Sequence, residues 1–133
     1  MNNKVVARFR DGRLLKGISL DVDPSRRKFH IRAPEGAVEE VDLNDLKALF
    51  YVRTLEGDRG RPLESTPVPD DPRGRGSTMV KLKFSDGEEM MGMTLHYPPK
   101  RPYFFVLPVD PGCNNIRVLV NRSALVSIAA NAA

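Results

Sequence analysis

Residues 5–12 and 80–87 of this chain carry the same pattern twice. Val5-Val6-Ala7-Arg8-Phe9-Arg10-Asp11-Gly12 aligns with Val80-Lys81-Leu82-Lys83-Phe84-Ser85-Asp86-Gly87, an offset of 75. The match runs on without a gap: Gly17-Ile18-Ser19-Leu20 meets Gly92-Met93-Thr94-Leu95. Pro24, Arg26, Phe29 and Ile31 then meet Pro99, Arg101, Phe104 and Val106. After a short insertion, Val41-Asp42-Leu43-Asn44 is aligned with Val118-Leu119-Val120-Asn121. Chance does not place Phe-x-Asp-Gly, a second Gly and Pro-x-Arg at one fixed offset. A fold for this chain therefore has to be a fold for half of it, made twice.

The shared residues describe the half. Val5, Ala7 and Phe9 alternate with polar residues, as do Val80, Leu82 and Phe84. Period two marks a half-buried strand. Asp11-Gly12 and Asp86-Gly87 supply a tight hairpin turn. A second strand is predicted over Arg13–Val22 and Glu88–Tyr97, with Gly17 and Gly92 inside it. Interior glycine marks a bulge or bend, which lets a short sheet curl. Third strands are read at Lys28–Ala33 and Tyr103–Leu107, and fourth strands at Ala37–Leu43 and Ile116–Val120. Asn44-Asp45-Leu46 and Asn121-Arg122-Ser123 each predict one turn before a fifth strand, at Lys47–Arg53 and Leu125–Ala129.

Five short strands with a late turn resemble SH3-like barrels, the Sm-like subset in particular. The expected fold is all-β: two tandem five-stranded small barrels, residues 1–54 and 78–133. Residues 55–77 between them hold Pro62, Pro67, Pro69 and Pro72 among four glycines, and read as an extended linker. Arg73-Gly74-Arg75-Gly76 within it is basic, and a solvated linker accounts for it.

A half of about 55 residues is marginal alone, since so small a unit buries only about 60% of its unfolded surface. The second half is also more apolar. Met91, Tyr103 and Phe105 stand where the first has Lys16, Lys28 and His30. Part of that surface is expected to be covered by the first half or by a second chain.

No residue pattern in the chain reads as a catalytic site. Cys113 is the single cysteine, which excludes an internal disulfide and a zinc site of several thiolates. It lies in a turn-rich loop with no local base to activate it. His30 and His96 occupy non-equivalent places and show no ligand spacing, so no metal and no cofactor is expected. Glu39-Glu40 and Glu88-Glu89 are adjacent on strands and point to opposite faces, which is wrong for an acid–base pair. No nucleophile elbow, phosphate loop or dinucleotide fingerprint occurs. The expected protein is not an enzyme.

Charge is mixed. The net charge is +4, with 11 basic and 8 acidic side chains in residues 1–54 and 6 and 4 in residues 78–133. Arg26, Arg27 and Lys28, and Lys100 and Arg101, occupy one loop in both halves, with Tyr97 and Tyr103 beside the second cluster. Cations beside aromatics suit stacked bases, so these five are the candidate nucleic-acid contacts. The Asn and Arg-Gly of Sm-type RNA motifs are missing from Asp21–Arg27 and Asn44–Leu49, and no family contact carries over.

Leu46–Asp58, Phe9-x-Asp11-Gly12, Phe104–Pro108 and Asn114-Asn115-x-Arg117-Val118 resemble a family of uncharacterised bacterial proteins that also accompany signalling domains. The resemblance implies a regulatory or adaptor role. The reading is a bacterial module for protein–protein contact, with Met91, Tyr97, Tyr103 and Phe105 as the candidate partner surface and RNA binding as the alternative. A homo-oligomer is compatible with it. The N-terminal Met1–Val6 lacks a secretory apolar run, and no stretch reaches the roughly 18 apolar residues of a membrane span, so a cytoplasmic location is expected.

Overall fold

The computed structural model describes residues 3–56, 72, 75–95, 97–110 and 112–130. The expected linker at 55–77 falls largely outside these residues, as does His96. The protein is all-β, with ten strands in one antiparallel sheet and no α-helix among the described residues. The strands are β1 (Asn3–Phe9), β2 (Leu14–Ser19), β3 (Lys28–Arg32), β4 (Val38–Asp42), β5 (Leu46–Val52), β6 (Thr78–Phe84), β7 (Glu89–Thr94), β8 (Tyr103–Pro108), β9 (Asn115–Asn121) and β10 (Leu125–Ala130). Their order across the sheet is β10-β6-β7-β8-β9-β5-β1-β2-β3-β4.

The two halves repeat one set of pairings. Lys4 faces Ile18 and Met79 faces Met93, both partners 75 residues on. Both Asp-Gly turns close alike. The Phe9 amide donates to the Arg13 carbonyl and that of Phe84 to Glu88, and Gly12 and Gly87 take φ of +96° and +92°. At β2 and β7 the neighbouring strand comes unusually close. A methyl group built on Gly17 would meet the Arg32 carbonyl, and one on Gly92 the Val106 side chain. Only glycine lets β3 and β8 come so near.

Phe29 faces Val41 and Phe104 faces Val120, so Asp42 corresponds to Asn121, not to Leu119. Four residues, not two, are added between the third and fourth strands of the second half. The cap decides the match. Asp42 accepts from the Asn44 amide at 2.9 Å and Asn121 from the Ser123 amide at 3.0 Å, each opening a single 3-10 turn.

The halves are not separate sheets. β5 pairs with β9, Ala48 to Val120 through Val52 to Asn115, and joins them. β5 therefore lies between two cores. Leu49 and Tyr51 enter the first, with Val5, Phe29, Ile31 and Val41. Ala48, Phe50 and Val52 enter the second, with Val80, Leu82, Phe84 and Val106. Period two sends alternate side chains to opposite faces, and here both faces are apolar. All seven β5 residues are buried.

Candidate interaction site at the seam

The β5–β9 junction fixes what else meets there. β8 runs beside β9, so its outward residues come up against the first half. Tyr103, 7% exposed, and Phe105 pack on the first core. Phe105 meets Tyr51 edge-on, with ring centres 5.7 Å apart. The Arg117 guanidinium lies 4.3 Å from the Tyr51 ring centre and 4.4 Å from that of Phe105, a cation held over two aromatic faces. The Tyr103 hydroxyl donates to Asn44 Oδ1. Burial pushes the Tyr51 and Tyr103 phenols above their ordinary range, so both stay neutral near pH 7.

Two side chains clamp the seam from opposite directions. Lys47 of β5 reaches Asp86 at 2.8 Å and Glu88 at 2.5 Å, in and beside the second hairpin turn. Asn121 of β9 is buried, and its amide donates to the Leu46 carbonyl at 2.9 Å, with the carbonyls of Leu43 and Asn44 at 3.4 Å.

A cleft of about 470 Å³ opens beside this seam. Its lining includes Pro24 of the first half and Tyr97, Lys100, Arg101, Tyr103 and Phe105 of the second. Tyr97 is 38% exposed, so its ring is open to a ligand. Lys100 and Arg101 are exposed, and neither forms an ion pair among the described residues. Such a volume is in the range of ligand sites, and apolar walls with a few polar groups are their usual make-up.

The structure brings together three of the four candidate partner residues. Met91 is apart from them, beside Met90, Cys113 and Arg8 in another cavity. Of the five candidate nucleic-acid contacts, Lys100 and Arg101 line the seam cleft. Arg27 is tied to Asp42 at 3.1 Å and Lys28 lies 3.9 Å from Glu40, while Arg26 does not line the cleft. Pro24, Lys47, Arg117 and Asn121 were not legible as seam residues. Their partners across the seam lie 37 to 81 positions away, and no spacing rule reaches that far. A cue did exist for Asn121: an Asx residue two places before Ser123 repeats the Asp42–Asn44 cap.

The adjacent carboxylates each serve separate ion pairs. Glu39 binds Arg13, Glu40 lies near Lys28 and His30, Glu88 takes Lys47 and Glu89 takes Lys81. Cys113 is buried and donates to the Asn115 carbonyl at 3.3 Å. Among the described residues no three His, Cys, Asp or Glu side chains gather as metal ligands, and no helix is long and apolar enough to cross a membrane.

Fold and site together define an all-β protein whose halves share one sheet and meet beside a basic, aromatic cleft. It belongs to a family of unknown function (DUF6982), whose model matches residues 1–132. No curated protein and no solved structure matches the chain.

Proposed function

We propose that the chain is a non-enzymatic interaction module that takes an acidic segment of a protein partner in the seam cleft. One observation carries the reading: Tyr97, Tyr103 and Phe105 share a cleft with Lys100 and Arg101, two exposed cations that form no ion pair among the described residues. An apolar side chain fits the aromatic wall and a carboxylate fits the rim. Aromatic and arginine anchors dominate binding energy at protein interfaces. Nucleic acid is less favoured, because Arg27 and Lys28 of the matching loop have carboxylates beside them already. A strand of phosphates needs several free cations in a row.

In this reading the chain arose by tandem duplication. Each half is one small SH3-like or Sm-like barrel, residues 1–54 and 78–133, joined by residues 55–77. Its place is that of a cytoplasmic bacterial adaptor or regulator.

A second reading, binding of single-stranded RNA, draws on the same pairing of tyrosines with cations. Stacking on such rings contributes about 1–3 kcal/mol per base.

Fluorescence anisotropy with a library of acidic peptides and with a uridine oligomer separates the two. Peptide binding that falls at least tenfold in K100E/R101E, with weak RNA binding, supports the protein reading. RNA binding with a steep salt dependence, lost on changing Arg26 and Arg101 together, replaces it with the second. Binding of neither probe at low salt sinks both.

A further inference from the structure

The fifth strand of each half has an outer edge, turned away from the first strand of that half. In the first half β9 fills this edge of β5. In the second half β10 ends the sheet, and no described strand pairs with it there. Both strands begin with the same irregularity. Phe9 faces Leu46 and Arg8 faces Ala48, so Lys47 is an extra, bulged residue. Phe84 faces Leu125 and Lys83 faces Ser127, so Val126 is the bulged residue of β10. Such a bulge does not block the edge, because β9 pairs with β5 directly after it, from Ala48 on.

What the bulge presents is different. Lys47 carries its ammonium into the carboxylates of Asp86 and Glu88. Val126 presents an isopropyl group that is 61% exposed. The remainder of β10, Ser127-Ile128-Ala129-Ala130, holds no charge and no proline. At the far end of the sheet, β4 carries Glu39 and Glu40, with Lys28 and His30 on the strand beside it. Edge charges of this kind guard a sheet against further pairing, and β10 lacks them.

We propose that β10 is an interface between two copies of this chain, paired antiparallel, edge to edge, about a two-fold axis. The contact sets small and apolar side chains of β10 against the same side chains of its partner. An isologous contact of this type closes at two chains. The competing arrangement sets β10 on β4 of the next copy, in the register of β5 on β9. There Ile128 would face Glu40 and Ala129 would face Glu39, because these correspond to the Leu49–Leu119 and Phe50–Val118 pairs. Carboxylates would then be desolvated beside isoleucine and alanine, which is strongly unfavourable. Val126 would also point at a turn bearing Asp11, the counterpart of the Asp86 that Lys47 neutralises. Two-fold pairing avoids both conflicts. β10 does not line the seam cleft, so the dimer is independent of what the cleft binds.

Sedimentation equilibrium of the full chain, from micromolar to millimolar concentration, tests this. A reversible monomer–dimer equilibrium with no larger species is expected. Val126→Lys and Ala129→Lys alter exposed positions and are expected to weaken association at least tenfold with unchanged circular dichroism. Val38→Lys, on the β4 edge, is expected to leave it unaltered. A monomer throughout, open-ended growth, a dimer that ignores both β10 lysines, or one that Val38→Lys disrupts would each overturn the proposal.

Discussion

The Lys47 ammonium lies 2.8 Å from the Asp86 carboxylate, so a strand of the first half neutralises the hairpin turn of the second. Lys47 is 7% exposed and its ammonium also lies over the Phe84 ring, 4.7 Å from the centre. The pair explains why the Asp86 carboxyl is held below the usual carboxylate range: the Lys47 hydrogen bond is the first cause. Lys47→Met keeps the apolar stem and removes the charge. A loss of about 1–2 kcal/mol is expected from urea unfolding, because the acidic partners stay half-exposed and water compensates part of the contact. An unchanged midpoint would show the clamp to be passive.

Asp42 and Asn121 occupy corresponding caps, yet they are not interchangeable. Asp42 only accepts, from the Asn44 amide and beside the Arg27 guanidinium, whereas Asn121 also donates to backbone carbonyls across the seam. A carboxylate cannot donate. Asn121→Asp is therefore expected to lose about 2–4 kcal/mol, the cost of facing a buried charge with unpaired carbonyls. Asp42→Asn keeps the cap and is expected to lose less than about 1 kcal/mol. Equal losses in thermal unfolding would refute the distinction.

Gly17 and Gly92 stand where strands of one half nearly touch. Gly17→Ala is expected to lose about 1–3 kcal/mol, since the new methyl group meets the Arg32 backbone. At Gly92 the nearest obstacle is the Val106 side chain. A double-mutant cycle is expected to show that Val106→Ala relieves part of the Gly92→Ala loss. Strict additivity would contradict that contact.

His30 and Asp21 form an exposed pair, Nδ1 to Oδ2 at 2.7 Å. The Asp21 hydrogen bond raises the His30 pKa above 6.5, and His30 in turn outweighs partial burial to lower that of Asp21. A raised histidine pKa stabilises the fold below pH 6.5, and the effect fades as pH climbs through the folded value. The depressed Asp21 pKa works the other way: its contribution holds above the unfolded value and is lost as pH falls through the folded one. The pair is thus expected to help most between the two. An NMR titration of the His30 ring should give a midpoint above 6.5 that drops in Asp21→Asn. A midpoint unmoved by that substitution would rule out the coupling.

Local features were legible in the sequence. Alternation gave the strands and Asp-Gly gave both hairpins, while the interior glycines stand where the next strand packs close. The join between the halves was not. β5, Leu46-Lys47-Ala48-Leu49-Phe50-Tyr51-Val52, looks like one buried strand whichever neighbour it takes, because both of its faces are apolar. The place of Asn121 is misleading in sequence, since Val-x-x-Asn occurs in both halves two places out of register, and the strand pairing and the cap together fix it. The cleft was half legible: its aromatics and cations cluster in sequence between Tyr97 and Phe105, but Pro24 comes from the other half.

A strand buried on both faces has no silent positions. Any of the six apolar β5 residues that drifts toward polarity injures one core or the other, while β10, its counterpart, has water on most of its length. The fifth strand of the first half is therefore expected to tolerate few replacements, and that of the second half to be the one free to acquire new partners.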